Sequence, residues 1–463
     1  MQPVHRPTAA PDRTDGRAVI LGAGLAGLLA AAALAPRYDV TLIERDELPA
    51  EPDHRRGLPQ GHHAHVLMSS GARIVDELLP GTTDAWIAAG AHRLGLPHGY
   101  VMLLPQGWLP RRPTGEYVIS CSRALLDHVV RQRVLALPHV RLLDGTTAQG
   151  LIGDARRVTG VRTRETVLTC DLVVDATGRG SRLTHWLSEL GVPEVTQQVV
   201  DSGLRYATRL FRAPAGDFPI VNIQADPARD RPGQTAALMP IEDGRWLVTL
   251  SGTRGGEPPA GEDEFVGFAR AMRHPIVGDL IADAEPLGPV RVTNTTANRR
   301  RRYDRVRHWP DGLVALGDAV AAYNPVYGHG MSIAAKQALI LRDRADQADR
   351  MDLGDRVDQA AITAAAAEGW GHAAGSDVRF PGVRGAVPSR ADRLIWRYQH
   401  RLFRTALDRP GVAADLVRVF SLNAPPTRLF HPRTLLATAR GPRTVPSAEP
   451  PFTDAERAVA ALR

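Results

Sequence analysis

Cysteine is nearly absent: the 463 residues hold two, Cys121 and Cys170, and neither stands in a C-x-x-C or other paired metal-ligand spacing. That excludes a disulfide-stapled scaffold and a thiol redox motif, and makes a reducing, cytoplasmic setting the expectation. Lysine is scarcer still. Of 57 basic residues only Lys336 is a lysine, so the formal charge of +7 is carried by arginine. Beside abundant alanine, glycine and proline, that bias reads as the codon usage of a GC-rich genome rather than as selection for phosphate contacts. Acids are interspersed along most of the chain, so nucleic acid is not an expected partner. The arginine run 299–302 is the exception, and reads as a solvated face.

Long apolar runs are missing too, with one exception. Residues 18–36, AVILGAGLAGLLAAAALAP, carry no charge over 19 positions, close to the length a membrane span needs. Three early glycines and an alanine-rich remainder decide instead for a strand, a tight turn and a buried helix, and no stable membrane insertion is expected. The first residues lack the apolar core of a signal peptide, and 1–16 read as a flexible tail. With 43% hydrophobic and 23% charged residues, the chain can bury a large core, and its length suits about two or three packed domains.

The glycines of that run have a pattern. After an apolar strand at 18–21 comes Gly22-Ala23-Gly24-Leu25-Ala26-Gly27, a G-x-G-x-x-G turn before a helix at about 25–35. Gly22 permits the tight turn, Gly24 lets backbone approach a pyrophosphate, and Gly27 lets helix and strand touch; the helix N-terminus offers free N–H groups. A second strand at 40–43 ends at Glu44, 22 residues beyond Gly22, with Arg45 next to it. A carboxylate there can accept from ribose hydroxyls and repels a 2′-phosphate. These residues form a dinucleotide site without distinguishing NAD from FAD.

Far downstream, Gly312-Leu-Val-Ala-Leu-Gly317-Asp318-Ala319 reads as a buried strand ending in a glycine and an acid. It leads into Asn324-Pro325-Val-Tyr327-Gly328-His329-Gly330-Met331 and a helix at about 332–344. A strand-end carboxylate can accept from a hydroxyl, and glycines at 328 and 330 clear side chains from where a flat ring must meet backbone. This arrangement resembles the flavoprotein monooxygenases of the para-hydroxybenzoate hydroxylase type (group A). The resemblance implies that Asp318 binds the flavin ribityl chain and that the P-x-x-G-x-G-M backbone passes beneath the isoalloxazine. It also implies that Arg123, opening a helix after Ser122, lies against the FAD phosphates or ribityl chain. The strand at 171–175 leads to the position of the family's DG motif, where hydroxylases carry an acid that serves both FAD and NAD(P)H. This chain has Thr177-Gly178 instead, which leaves the electron source open between NAD(P)H and reduced flavin from a partner reductase.

The segment Leu58-Pro-Gln60-Gly-His62-His63-Ala-His65 is similar to the PQG-x-H-x-H stretch of actinobacterial polyether and polyene epoxidases, with His62 where arginine is usual. Gln60, His63 and His65 thereby join the cofactor-binding candidates; no metal is expected, because no acid or histidine cluster completes a coordination shell. The implied fold is α/β: a discontinuous Rossmann-like FAD-binding domain (17–75, 115–190 and 290–345), a substrate domain with an antiparallel sheet (76–114 and 191–289), and a C-terminal helical region (346–463). Strand-like alternation at 205–211, 235–241 and 245–251 and helical stretches at 360–368 and 394–407 agree with it.

The implied activity is insertion of one atom of O2, through a flavin C4a-hydroperoxide, into a small apolar natural-product intermediate, a polyketide or terpenoid. Epoxidation of an alkene needs no side-chain base; aromatic hydroxylation gains from one. Tyr327 and His329 are the candidates for touching substrate or flavin, read as positioning groups before proton carriers. A prenyl-type flavin reductase and an FAD-holding interaction protein are the other readings. A halogenase is disfavoured because no W-x-W-x-I-P segment is present. Oligomeric state is not legible.

Overall fold

In the computed structural model, which describes residues 16–294, 296–347 and 359–461, the uncharged run divides as its glycines require. It begins within strand β1 (Gly16–Leu21), turns, and continues as helix α1 (Leu25–Leu34). The tail reading for 1–16 falls outside the described residues except at Gly16, which opens β1. There follow β2 (Tyr38–Ile43), α2 (Arg123–Leu135), β3 (Val140–Leu143), β4 (Leu172–Asp175), β5 (Leu313–Ala315) and α3 (Gly330–Gln347). The five strands are parallel, in the order β5-β4-β1-β2-β3. Leu21 pairs with Ile43 and Asp175, and Asp175 with Ala315. The strands therefore end at one level, and the loops after them open on a common crevice, where parallel sheets take their ligands.

The alanines of α1 explain its burial. Ala30, Ala31 and Leu34 pack with Ala335, Ala338 and Leu341 of α3 and with Val130 and Val134 of α2. Small side chains let three helices and a sheet approach, and a helix apolar all round belongs in such a core. Among the described residues no helix is long and apolar enough to cross a membrane. The same core reaches beyond residue 75: Trp86 is buried in it and donates its indole N–H to Leu126 O at 3.2 Å.

A seven-stranded sheet forms the second layer, in the order Arg291–Thr293, Arg205–Arg212, Arg245–Gly252, Gln234–Ile241, Ile220–Ile223, Tyr100–Leu104, Gly107–Trp108. It is antiparallel except where Ile220–Ile223 pairs in parallel with Tyr100–Leu104. Alternation assigns its faces. Ala236, Leu238, Trp246, Val248 and Leu250 enter a core with Phe265 and Val277 of two short helices, while Ala237, Met239, Thr249 and Ser251 face a cavity against the crevice. Helices α4 (Gln359–Asp377), α5 (Arg390–Ala406), α6 (Pro410–Phe420) and α7 (Pro432–Arg440) complete the described chain's larger elements. The fold is thus α/β, with a Rossmann-like parallel sheet, a largely antiparallel sheet and C-terminal helices.

The arginine run corrects the sequence reading. Asn298–Arg301 is the middle strand of a three-stranded sheet, and Arg301 is buried, donating to Ala319 O at 2.7 Å and Ser181 O at 3.2 Å. Arg299 donates to Arg179 O, and Arg300 lies over the Trp370 ring at 4.6 Å. The loops after β4 and β5 leave carbonyls beyond the reach of any strand, and the guanidinium fork carries enough donors to satisfy them.

Candidate active site

The crevice and the seven-stranded sheet enclose a cavity of about 570 Å3. Its floor begins at the first glycine turn. Gly22 has a φ of 95°, and a Cβ on Gly27 would fall 1.8 Å from Gly22 O. Neither position admits a side chain, and Gly27 serves helix-strand contact without lining the cavity. Gly24, Leu25 and Ala26 line it, while Ala23 lies just behind. Buried Glu44 receives the Ala23 N–H at 2.9 Å and the Arg55 guanidinium at 3.2 Å. The acid at the end of β2 is thereby fixed beside the turn, with Arg45 at the rim.

The loops after β4 and β5 meet across the floor. Thr177 donates from both N and Oγ1 to Asp175 Oδ1, at 2.9 and 2.5 Å, and Ser181 Oγ donates to Oδ2 at 2.5 Å. Asp175 is therefore turned inward and wholly buried. Asp318 lies between two glycine turns: a Cβ on Gly178 would come within 3.9 Å of its own Cβ, and one on Gly330 within 3.9 Å of its Oδ1. Among the described residues no side chain or backbone N–H donates to the Asp318 carboxylate, which is half-buried on the cavity wall. Burial pushes its pKa up, and Arg179, Arg123, Arg299 and Arg301 pull against that shift. A half-buried acid without a protein donor, flanked by glycines that keep space clear, fits a ligand hydroxyl. Arg123 lines the cavity with its Nε held by Asp127 at 2.8 Å.

Opposite lies the loop after β5. Gly317 and Gly328 have φ of 58° and 69°, and a Cβ on Gly328 would meet Met68 Cε at 3.3 Å and Val66 Cγ2 at 3.4 Å across the cavity. Pro325, Tyr327, Gly328, Gly330 and Met331 all line it, as do Gln60 and His65. A flat group can lie in this slot because glycine leaves the width.

The histidines part company. His65 Nδ1 donates to His63 O at 2.9 Å, leaving Nε2 as an acceptor, and burial lowers its pKa to about 4. His63 stands behind the wall, its ring reaching Thr249 through Thr208 in steps of 2.7 Å. His62 lies tilted against the His54 ring, with centroids 3.8 Å apart. His329 also lies off the cavity: Nε2 donates to Phe420 O at 3.0 Å, the ring packs against His372, and Nδ1 has no partner. Tyr327, by contrast, lines the cavity and donates to Asp377 Oδ1 at 2.7 Å. Asp377, at the end of α4, also receives Ser202, Asn298 and Asn324. It carries no sequence motif, and was missed. Arg179, which donates to Tyr323 O at 3.3 Å, was missed likewise.

A paired glycine turn and strand-end acid at one edge of the crevice, with a second glycine loop and an undonated carboxylate at the other, define a flavoprotein of the para-hydroxybenzoate hydroxylase type. The chain belongs to the FAD binding domain family, whose profile matches residues 15–343. It is 36% identical over 343 residues to Protein Rv3254 of Mycobacterium tuberculosis, covering 70% of this chain and 72% of that one. It is 28% identical to kynurenine 3-monooxygenase of Salinispora tropica, over 71% of this chain and 72% of the relative. Among solved structures, the flavin-dependent brominase Bmp2 superposes with a TM-score of 0.63 over 92% of this chain and 99% of its own, at 15% identity, a likeness of fold alone. The enzyme is a flavin-dependent monooxygenase with FAD as cofactor.

Proposed function

We propose that this monooxygenase epoxidises an alkene of a small, uncharged natural-product intermediate. The observation that carries the reading is the sheet wall of the cavity. Tyr100, Met102, Ile220, Asn222, Ala237 and Met239 represent it, and none of the cavity residues drawn from the seven-stranded sheet is charged. An anionic or zwitterionic substrate would leave its charge unpaired there, at a cost that excludes it. Nor does the wall offer a base near neutrality: burial lifts the tyrosines Tyr100 and Tyr206 above their ordinary range, and His65 at about 4 is neutral. An alkene needs no such base. The likeness of 58–65 to polyene epoxidases supports the same choice.

Gly24, Glu44, Arg123, Asp318 and the loop 325–331 would hold FAD. When bound and reduced, FAD would supply the two electrons that, with two protons, let one atom of O2 enter the substrate and the other leave as water. The chain's own contribution is positioning and exclusion of water. Val66 and Met68 press the slot opposite Gly328, and Phe420 brings the C-terminal helices onto the wall. Thr177-Gly178 carries no acid of its own, and Asp175 before it is turned inward, which favours reduced flavin from a partner reductase as the electron source over direct NAD(P)H.

Aromatic hydroxylation is the second reading, favoured by the Tyr327–Asp377 contact, which could accept a phenol proton. The test is to supply the reduced holoenzyme with 18O2 and paired apolar alkene and phenol probes, followed by mass spectrometry. An epoxide carrying one heavy oxygen supports the proposal; catechol products alone would overturn it. Stopped-flow reduction with NADH or NADPH faster than turnover would overturn the reductase part.

A further inference from the structure

Between residues 390 and 443 the chain has eleven arginines against three acids, a net charge of +8 that exceeds the +7 of the whole protein. The remaining residues together are slightly acidic. This concentration coincides with exposed apolar side chains: Leu394 of α5 is 68% exposed, Leu436 of α7 53%, and Phe430 between α6 and α7 50%. These elements are packed together. Tyr398, one turn after Leu394, stacks on Phe430 at 5.1 Å, and Arg401 Nε donates to Thr438 O at 2.7 Å, joining α5 to α7. Arg390, Arg397, Arg404, Arg433 and Arg440 have no carboxylate within ion-pair reach among the described residues. Free cations around exposed leucine and phenylalanine are the pattern of helices that lie in a membrane interface.

We infer that the α5–α7 face docks the enzyme peripherally on an anionic lipid surface. A second copy of this chain does not suit the face, because a twofold contact would press two such cationic patches together. The helical layer carrying the patch also sends Phe420 into the cavity wall, so docking places the lipid phase on the side from which these helices cover the site. The inference does not depend on which substrate is oxidised.

Vesicle co-sedimentation of the holoenzyme tests it, with vesicles of phosphatidylglycerol mixed with phosphatidylcholine against pure phosphatidylcholine at about 0.1 M salt. Binding to the anionic vesicles alone is expected. Arg390→Gln with Arg397→Gln should weaken it about 30-fold, from a factor of about five per arginine, and Leu394→Ser with Phe430→Ser at least about tenfold. Retained FAD absorbance in both variants shows that they fold. No binding to anionic vesicles, equal binding to neutral ones, or indifference to both double variants would overturn the inference. So would sedimentation showing a dimer that Leu394→Ser dissolves.

Discussion

Asp377→Asn isolates what the buried carboxylate does. Its oxygens receive Tyr327 Oη at 2.7 Å, Asn298 Nδ2 at 2.8 Å, Ser202 Oγ at 3.0 Å and Asn324 Nδ2 at 3.0 and 3.1 Å. An amide must replace one oxygen by a donor. At Oδ2 that donor would face Asn298 Nδ2, which cannot turn over because Asn298 Oδ1 already accepts the Asn324 N–H at 2.7 Å. The amide nitrogen therefore takes the Oδ1 place, where the Tyr327 hydroxyl can rotate and accept. The surviving bonds fall from charge-assisted to neutral, about 1 kcal/mol each, and removal of a buried charge offsets part of this, for a net of about 1–2 kcal/mol. Asp377→Ala leaves four donors unpaired at about 1 kcal/mol or more each, so about 4 kcal/mol or more is lost. Because Asn324 and Tyr327 belong to the loop that would hold the flavin ring, both losses should reach FAD. Fluorescence titration of apoprotein with FAD should show a Kd raised about fivefold for Asn and tenfold or more for Ala, with thermal midpoints falling in the same order. An alanine variant that binds FAD and melts as the parent does would refute the reasoning.

Asp318→Ala removes the undonated carboxylate and should weaken FAD about 10- to 100-fold, the worth of a hydrogen bond to a charged group; unchanged FAD retention on purification would remove Asp318 from the site. Gly27→Ala should lose about 3 kcal/mol or more, since its Cβ would lie 1.8 Å from Gly22 O, whereas Gly180→Ala meets nothing within 4 Å and should be neutral; calorimetry on both tests the packing argument. Stability should also fall with acid. Burial lowers the pKa of His63 to about 3, of His65 and His372 to about 4, and of His329 well below the ordinary 6.5. The unfolded chain takes up protons below about pH 6.5 that the folded one refuses, so stability is full above that pH and is lost as it falls towards 4, at up to about 1.4 kcal/mol per pH unit for each histidine. Denaturant midpoints that stay level from pH 7 to 5 would contradict this.

The glycine turn, Glu44 and the Asp318 loop were legible because each is a local pattern: a strand, a fixed offset and a backbone conformation that only glycine supplies. The hairpin at 234–252 was legible for the same reason, its alternation being broken at Asp243-Gly244, where both φ values are near 60°. Asp377 was not, since its partners lie 175, 79, 53 and 50 residues away and no period records them. The buried arginines misled for a related reason. In sequence, four consecutive cations look solvated; in the fold, Arg299 and Arg301 donate to carbonyls of the loop after β4, more than a hundred residues distant. His329 sits between two cavity glycines, yet the turn directs its ring to α6, and only the position of that late helix decides which way it faces.

The charge distribution around the cavity is uneven. Arg45, Arg55, Arg123, Arg179 and Arg182 line the crevice half with Glu44 and Asp318 as its acids, while the sheet half has no charged side chain. A cationic half suits a diphosphate, whose desolvation must be met by fixed donors, and a neutral half suits a substrate that brings no charge to be met. One cavity is thus divided electrostatically rather than by a wall. Cofactor and substrate would meet where the division falls, near Met68, Gly328 and Tyr327, the point at which glycine leaves room for a ring and the Asp377 carboxyl is held one hydrogen bond behind the surface.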